Sequence, residues 1–531
     1  MAFEATRRPT SKVLLNGIGI LQHKAGVNPR APGASNVPGS TSGVAGNDTM
    51  MTANAPPGIA MNSGASSMGP HGHTRAFRRS GVVSAHKLNW PLCPPIMAQR
   101  STYRLDRPTA LDHDEPMLEP KRHAKKGEWY VEPSAFSKRC SNPIRKIVDN
   151  IKRPSTSTKT LIPLSLGDPT VFGNLHCPDV LVQAIVRNAR SMQHNGYIHS
   201  AGSEVARAAI AQRFGSPRAP LTMEDVIIAS GCSGAIEIAF QGLLNPGDNI
   251  LLPKPGFPLY QALCESHQVE CRFYNLMPEK KWEIDLHQMQ SLVDDRTKAI
   301  LINNPSNPCG SVYSKPHLEN ILALAEQNKI PIIADEIYGD MVFGSNVFFP
   351  IATLTKTVPV VAVGGLAKQF LIPGWRVGWI MVHDRNHVLR DVRTAYFKLS
   401  QNILGANSLV QSVIPDLLTP APGSAEEQSL VHFKTRYFAT LAENAQFTID
   451  TLSKIPGLEV VVPQGAMYAM VKVQTDVLTT IHDDFDFTQK LLEEESVFVL
   501  PGQVTSVHRN GAIVVKRELI FGCFVLLACN N

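Results

Sequence analysis

The sequence predicts an α/β protein with a parallel or mixed sheet that is covered by helices on both faces. Two observations support this fold class. From about residue 160, short apolar runs alternate with helical patterns. Polar and glycine-rich residues follow directly after five of these runs. Because ligands of such sheets bind beyond the carboxyl ends of the strands, we expect one crevice to collect these polar residues.

The predicted strands and helices follow one another from residue 226 onward. The run "DVIIAS" precedes a predicted helix over 234–244, in which Ile236, Ala239, Phe240 and Leu243 recur every three or four residues. Four more runs follow, which are "DNILLPKPG", "KAILINNPSNPCG", "IPIIADEIY" and "VPVVAVGGLAK". A second helical pattern over 317–328 separates two of them. This alternation is typical of parallel sheets.

Composition is that of a large globular enzyme and indicates no nucleic-acid partner. The chain has 531 residues, and 43% of them are hydrophobic, which is enough for a large core. The net charge is +6, but the first hundred residues carry ten Lys or Arg against only Glu4 and Asp48. The remaining residues are therefore close to neutral and lack the basic surface of a nucleic-acid-binding protein.

Cysteine spacing and hydropathy argue against three further classes. The nine cysteines are scattered and include no Cys-x-x-Cys pair, which argues against a disulfide framework and against a zinc site. We therefore expect no metal and a reducing compartment. The chain has no apolar run of the roughly 18 residues that a membrane span needs, so no membrane association is expected.

Residues 1–135 are predicted to be a disordered basic extension. They are rich in Gly, Ala, Ser, Asn and Pro and show no sustained helix or strand period. The acid-poor start with Arg7 and Arg8 is typical of an organelle-targeting segment, and an ordinary extension explains it equally well. The expected location is therefore cytoplasmic or mitochondrial.

One end of the predicted crevice is suited to a phosphate. Gly231, Cys232 and Ser233 open a predicted helix, so free backbone N–H groups, a hydroxyl and the helix dipole point to one place. Arg376 in "GWRVGW" adds a guanidinium, whose rigid fork matches phosphate oxygens. Taken alone, Arg376 would be expected in a surface ion pair.

The other end is suited to an aromatic aldehyde. Asp335 can keep a heterocyclic nitrogen protonated, and Phe257 can lie against a flat ring. Lys368 can form a Schiff base with an aldehyde. A lone lysine after a strand is usually solvated. A phosphate, a protonated ring nitrogen and an aldehyde on one molecule describe pyridoxal 5′-phosphate, and it is the conjunction of groups that indicates this cofactor.

Ordered sequence blocks over residues 142–502 resemble the fold type I, class I/II pyridoxal-phosphate-dependent aminotransferases, and among them the tyrosine-specific group. The blocks are "NPIRKIVDN", "LSLGDPTVFGNL", "NGY", "SGCSGAI", "PKPGFPLY", "NNPSNPCGSVYSK", "ADEIYGDMVF", "GGLAKQFLIPGWRVGW", "KLSQNILG" and "GAMYAM". The resemblance implies a large domain with a mostly parallel seven-stranded sheet between helices, together with a smaller α+β domain.

The resemblance also implies domain boundaries. The extension would cover 1–135, and the N-terminal arm with part of the small domain would cover 136–195. The large cofactor-binding domain would cover 196–400 and the small C-terminal domain 401–502. Residues 503–531 would form a divergent tail, because they do not match the family.

Roles in holding the cofactor ring follow from the same resemblance. Lys368 would carry the cofactor as a Schiff base and act as general base and acid. Asp335 would hold the ring nitrogen, and Phe257 would stack on the ring. Tyr338 and Asn307 would bind the phenolic oxygen.

Further roles concern the phosphate and the substrate. Gly231, Cys232, Ser233 and Arg376 would bind the phosphate, and Tyr197 of "NGY" would reach the phosphate of a neighbouring subunit, which implies a homodimer. Gly167 and Asn307 would bind the substrate, Gly167 through its backbone at the carboxylate. Gly365 stands where many relatives have a hydroxyl three residues before the lysine.

The implied function is transfer of the amino group of an aromatic L-amino acid to a 2-oxo acid such as 2-oxoglutarate, with tyrosine as the expected amino donor. This places the enzyme in tyrosine and phenylalanine catabolism. A carbon-sulfur lyase or an enzyme like aminocyclopropane-carboxylate synthase shares Lys368, Asp335, Tyr338 and Arg376, so this alternative stays open.

A third alternative is a catalytically impaired cofactor-binding protein. After Gly502, the chain lacks the Phe-x-Arg block whose arginine binds the substrate carboxylate in the family. Arg509 and Arg517 lie in unrelated contexts, and neither is assigned this role.

Overall fold

A computed structural model describes residues 129–142, 158–165, 167–170, 173, 175–502 and 518–522. From Val131 onward these belong to one compact unit, whereas Trp129 and Tyr130 belong to a second unit, 30–130. The predictions for residues 1–128, including the basic extension and its targeting role, lie outside the described residues. The same holds for Arg509 and Arg517.

The described part of the chain contains fourteen strands. They are β1 (Ile162–Pro163), β2 (Val226–Ala229), β3 (Asn249–Lys254), β4 (Glu270–Met277), β5 (Glu283–Ile284), β6 (Thr297–Asn303), β7 (Ile332–Asp335), β8 (Val360–Gly365), β9 (Gly378–His383), β10 (Leu458–Val460), β11 (Tyr468–Val473), β12 (Val497–Phe498), β13 (Leu500–Pro501) and β14 (Glu518–Gly522).

Twelve α-helices accompany these strands within the same ranges. They are α1 (Ala135–Arg139), α2 (Asp179–Ser191), α3 (Glu204–Phe214), α4 (Gly231–Leu243), α5 (Leu259–His267), α6 (Leu286–Ser291), α7 (Lys315–Asn328), α8 (Arg390–Ser400), α9 (Ser408–Gln411), α10 (Ile414–Leu418), α11 (Ala425–Leu452) and α12 (Asp484–Glu495). None of these helices has the length and apolar content needed to cross a bilayer.

The central sheet has eight strands in the order β2-β9-β8-β7-β6-β3-β4-β5. Strands β3, β4, β6, β7 and β8 pair in parallel, whereas β9 runs antiparallel to both β8 and β2. The prediction of an α/β fold with a mostly parallel sheet is confirmed. The eighth strand is the two-residue β5, which folds back on the end of β4 through Leu276 and Ile284.

Both faces of the central sheet are buried. In β7, Ile332 and Ala334 belong to one apolar cluster and Ile333 belongs to another. Successive side chains of a strand point to opposite faces, so these two clusters lie on the two sides of the sheet. Helix α4 contributes Ile236 to the second cluster, and α7 contributes Leu318 to the first.

Two predicted helices begin earlier in the structure than their apolar patterns. Helix α4 begins at Gly231 instead of residue 234. Helix α7 begins at Lys315, because the side chain of Ser314 caps it by accepting a hydrogen bond from the backbone of His317. The first turn of each helix carries polar or small residues, so apolar periodicity does not reveal it.

A second, antiparallel sheet has the order β10-β11-β14-β13. Strand β14 lies between β11 and β13, with Ala469 opposite Phe521 and Leu500 opposite Ile520. Part of the segment 503–531, expected to diverge from the family, thus supplies a strand to this sheet. The domain boundaries expected from the sequence stay predictions.

Candidate active site

The polar ends of the central strands surround one cleft of about 290 Å³. Most residues singled out in the sequence line it. They are Gly167, Cys232, Ser233, Phe257, Asn307, Asp335, Tyr338, Lys368 and Arg376. Their strands end at the same edge of the sheet, as expected where parallel strands share a direction.

The start of α4 and Arg376 form the cationic end of the cleft. Gly231 has φ +73°, and a Cβ placed on it would lie 2.7 Å from Nη2 of Arg376. A glycine is therefore required for both the backbone conformation and the close approach of the guanidinium. Nη1 of Arg376 donates to the carbonyl of Pro373 at 3.0 Å. Free backbone N–H groups at a helix start beside a guanidinium fit the phosphate of pyridoxal phosphate.

Asp335 is a buried carboxylate at the end of β7, with only 3% of its surface exposed. Its Oδ2 accepts a hydrogen bond from the hydroxyl of Tyr260 at 2.6 Å. Its Oδ1 accepts from the backbone N–H of Ile337 at 3.2 Å and from Sγ of Cys232 at 3.8 Å.

Burial raises the pKa of Asp335, and the hydrogen bonds from Tyr260, Ile337 and Cys232 and the charge of Lys368 act in the opposite direction. A nearby cation would stabilise the ionised form of this buried carboxyl group. A protonated ring nitrogen in the cleft would be such a cation, so Asp335 fits the pyridine end of the cofactor.

Lys368 follows β8 and extends into the cleft. Its Nζ donates to the carbonyl of Gly167 at 2.5 Å and lies 6.0 Å from the centre of the Tyr338 ring. The hydroxyl of Tyr437, on α11, donates to the backbone carbonyl of Lys368 at 3.2 Å. The lysine backbone is thus anchored while its amine faces the cleft.

Gly167 has no room for a side chain. A Cβ placed there would lie 2.2 Å from the hydroxyl oxygen of Tyr468. Its backbone can therefore come close to both Lys368 and Tyr468. Gly167 therefore lies next to Lys368 in the wall of the cleft, and its contact with a substrate carboxylate stays a prediction.

Two tyrosine hydroxyls meet in the wall of the cleft. The hydroxyl oxygens of Tyr338 and Tyr468 are 2.8 Å apart, and their rings meet edge to face at 5.7 Å. Burial raises the pKa of Tyr338 well above its ordinary value, so this phenol stays protonated and able to donate.

Asn307 is positioned by a neighbouring asparagine. The backbone N–H of Asn307 donates to Oδ1 of Asn303 at 2.6 Å. The side-chain amide of Asn303 in turn donates to the backbone carbonyl of Asp335 at 3.0 Å. The end of β6 is therefore tied to the end of β7, which fixes Asn307 relative to Asp335.

Gly365 lies in β8, three residues before Lys368. A Cβ placed on it would lie 2.8 Å from the carbonyl oxygen of Val377 and 3.0 Å from the Cα of Gly378. Strand β9 thus leaves no room for the hydroxyl-bearing side chain that many relatives have at this position.

Two predicted site residues do not line the cleft of their own chain, namely Gly231, which lies against the guanidinium of Arg376, and Tyr197. The side chain of Tyr197 is 94% exposed. The role suggested for it concerns a neighbouring subunit and stays a prediction.

Sequence analysis missed the roles of Tyr260, Tyr468 and Asn303. The first two lie in the quoted blocks "PKPGFPLY" and "GAMYAM". Tyr260 packs edge to face against Phe257 at 5.6 Å, at the start of α5. Tyr260 and Asp335 are 75 residues apart, so no local pattern indicates their contact.

Fold and cleft together define a pyridoxal-phosphate-dependent transferase. Comparison with family models finds a match to "Aminotransferase class I and II" over residues 159–516. The chain belongs to this family and is a pyridoxal-phosphate-dependent aminotransferase.

Individual relatives agree with this assignment. The chain is 47% identical to tyrosine aminotransferase of Mus musculus, over 71% of this chain and 82% of the relative. It is also 47% identical to tyrosine aminotransferase of Dictyostelium discoideum, over 73% of this chain and 92% of the relative. Tyrosine aminotransferase from Leishmania infantum, a solved structure, superposes with a TM-score of 0.69 and 35% identity, covering 76% of this chain and 97% of that one.

Proposed function

We propose that the chain transfers the amino group of an aromatic L-amino acid, with tyrosine as the preferred donor, to a 2-oxo acid such as 2-oxoglutarate. The observation that carries the proposal is the meeting of Lys368 and Asp335 in one cleft. The names of the relatives reported above support the choice of tyrosine. They also favour transamination over the lyase alternative.

The cofactor is proposed to lie between α4 and Lys368. Arg376 and the backbone of 231–233 bind its phosphate, and Phe257 packs against its ring. Asp335 holds a proton on the ring nitrogen. When bound, the pyridoxal ring supplies an electron-withdrawing system that makes the α-hydrogen of an attached amino acid acidic.

Lys368 is proposed to move the proton. As a free amine, its Nζ would remove the proton from the α-carbon of the substrate as a general base and then, as a general acid, deliver that proton to the former aldehyde carbon of the cofactor. The same two transfers run in the opposite order when the 2-oxo acid is the substrate. Tyr437 supports this role, because its bond to the backbone carbonyl of Lys368 fixes the base of the side chain.

The substrate is proposed to lie between Gly167 and Asn307. Among the described residues that line the cleft, the cations are Lys368 and Arg376. With Arg376 assigned to the phosphate, we assign the substrate carboxylate to two neutral groups of the lining, the backbone N–H of Gly167 and the amide of Asn307. Such neutral donors give weaker contacts than a paired arginine.

The proposed assembly is a homodimer, located in the cytoplasm or the mitochondrion. The exposed ring of Tyr197 supports the dimer, since a side chain that is 94% exposed is free to reach a second copy. The acid-poor start of the chain supports either location.

Nitrogen tracing tests this function. The purified chain with pyridoxal phosphate is incubated with ¹⁵N-labelled L-tyrosine and 2-oxoglutarate. The proposal predicts ¹⁵N in glutamate and one equivalent of the 2-oxo acid of tyrosine. Release of ¹⁵N-ammonia with a cleaved side chain would support the lyase alternative. Recovery of unchanged tyrosine would support the third alternative, a catalytically impaired cofactor-binding protein.

A further inference from the structure

A second cavity, of about 200 Å³, lies behind the segment that carries Lys368. Gly364, Gly365 and Gln369 form part of its wall, together with Glu336, the neighbour of Asp335 in sequence. No residue lines both this cavity and the cleft of Lys368. The cavity and the cleft are therefore formed by neighbouring residues of the same segments, but different side chains line each of them.

Aromatic rings make up much of the cavity wall. They belong to Phe214, Phe348, Phe370 and Trp379. The rings of Phe214 and Trp379 pack at 5.7 Å with an angle of 45°. Faces of aromatic rings attract cations, and they also bury apolar groups.

Three side chains in this wall have unused hydrogen-bonding capacity, and one of them is Trp379, whose buried Nε1 donor has no partner among the described residues. Oε1 of Glu336 accepts from the backbone N–H of Ile351 at 3.0 Å, and its second oxygen has no partner among the described residues. Gln369 is only 8% exposed, and its amide makes no hydrogen bond within the described ranges. Polar groups that are largely shielded from solvent normally have partners, so Glu336, Gln369 and Trp379 together indicate a ligand or ordered water in this cavity.

Glu336 also lacks a cation among the described residues. Burial raises its pKa to about 8, and the nearby acids Asp335 and Asp340 raise it as well, against the opposing hydrogen bond from Ile351. Arg213 is already paired, through Nη2, with Oδ2 of Asp340 at 3.0 Å. Lys434 is not among the described residues that line the cavity; its Nζ lies over the ring of Phe370 at 5.3 Å, and burial lowers its pKa.

We propose that this cavity binds a small organic ammonium ion, whose N–H donates to Glu336 and whose apolar body packs among the four aromatic rings. The amide oxygen of Gln369 offers a second acceptor. A volume of about 200 Å³ is below the roughly 300–1,000 Å³ of sites for drug-sized ligands, so the ligand is a small amine. This site lies outside the proposed reaction and does not depend on it.

Calorimetry on the holoenzyme tests the site with N,N-dimethylbenzylamine as probe. This tertiary amine keeps one N–H as an ammonium ion and cannot condense with an aldehyde. Its neutral isostere, isobutylbenzene, is the matched control. The proposal predicts saturable binding of the amine at least tenfold tighter than of the isostere. Equal affinity, or no saturable binding of the amine, overturns the proposal.

A variant locates the probe. Glu336→Gln should weaken amine binding at least tenfold, whereas Glu319→Gln on the exposed face of α7 should leave the affinity unchanged. Unchanged affinity in a folded Glu336→Gln protein overturns the assignment.

Proton counting gives an independent measurement on the unaltered chain. Burial raises the pKa of Glu336 to about 8, so its carboxyl carries a proton in part of the molecules at pH 7. A bound ammonium ion favours the carboxylate, so binding at pH 7 should release protons. Calorimetry in two buffers with different ionisation enthalpies measures that release. Binding without proton release contradicts an ammonium-carboxylate contact.

Discussion

The hydroxyl of Tyr260 donates a 2.6 Å hydrogen bond to Oδ2 of Asp335, across 75 residues of sequence. Together with the donors to Oδ1, this bond favours the ionised carboxylate against the effect of burial. If Asp335 holds a proton on a ring nitrogen, as proposed, that role depends on a residue in α5.

Replacing Tyr260 by Phe should lower turnover and shift its pH dependence. A hydrogen bond to a charged group is worth about 1.5–3 kcal/mol, so we expect kcat to fall roughly 10- to 100-fold. Loss of the donor raises the pKa of Asp335, so the acid limb of the kcat profile should move to higher pH. Steady-state kinetics from pH 5 to pH 9 measure both effects.

Tyr313→Phe is the matched control for this variant. The hydroxyl of Tyr313 is also buried but has no hydrogen-bond partner among the described residues. Its removal should change neither kcat nor the pH profile. If both variants behave alike, the bond from Tyr260 to Asp335 has no role in turnover.

Asp335→Ala should lower turnover far more than it weakens cofactor binding. The phosphate contacts at Arg376 remain, whereas the group that keeps the ring nitrogen protonated is lost. We expect kcat to fall by roughly 10²–10⁴, the range for loss of proton-transfer assistance. Dialysis gives the cofactor Kd, which should rise by a smaller factor. Turnover close to that of the unaltered protein would show that the role assigned to Asp335 is wrong.

Gly231→Ala should weaken cofactor binding and lower stability. The residue has φ +73°, and its new methyl group would lie 2.7 Å from the guanidinium of Arg376. Such backbone strain costs about 1–3 kcal/mol, and the displaced arginine should raise the cofactor Kd. Urea unfolding and cofactor titration measure the two effects.

Gly344→Ala separates strain from the clash with Arg376. Gly344 also has positive φ, at 61°, but no atom lies within 4 Å of a Cβ built there. It should lower the free energy of unfolding while leaving the cofactor Kd unchanged. A similar rise in Kd in both variants would point to general destabilisation.

His383 should make the fold less stable in acid. Burial lowers its pKa to about 4, from 6.5 in the unfolded chain. Between these values the unfolded state binds more protons, so stability is full above pH 6.5 and is lost as the pH falls toward 4. The loss by pH 5 should be of order 1–2 kcal/mol.

Urea unfolding at pH 7.5 and pH 5 measures this loss. His383→Gln should reduce the difference between the two pH values. His432→Gln, at an exposed position of α11, should leave the difference unchanged. An equal pH dependence in the unaltered chain and His383→Gln would refute the prediction.

The ends of the central strands could be predicted from the sequence, because each apolar run is short and is followed by its polar residues. Lys368, Asp335 and Arg376 were found in this way, and the structure brings them to one cleft. The partners of these residues could not be predicted. Tyr260 and Tyr468 reach Asp335 and Tyr338 through tertiary packing, over 75 and 130 residues, and leave no local periodic signal.

Strand β14 is a second feature of the fold that could not be predicted from the sequence. The segment after Gly502 is predicted to diverge from the family, although the family match extends to residue 516. Nothing in its composition indicates where an apolar run would pair. In the structure, 518–522 lies between β11 and β13. Its position depends on the unpaired edges of β11 and β13, and the sequence does not show that these two edges face each other.

The half-reaction with tyrosine tests the central claim most directly. The purified chain is loaded with pyridoxal phosphate, and its visible absorption is recorded before and after L-tyrosine is added without any 2-oxo acid. The account predicts that the band of the bound cofactor disappears, that one 2-oxo acid forms per site, and that 2-oxoglutarate restores the band. A band that persists with excess tyrosine would contradict the account, and would mean that the cleft binds the cofactor without accepting an amino acid.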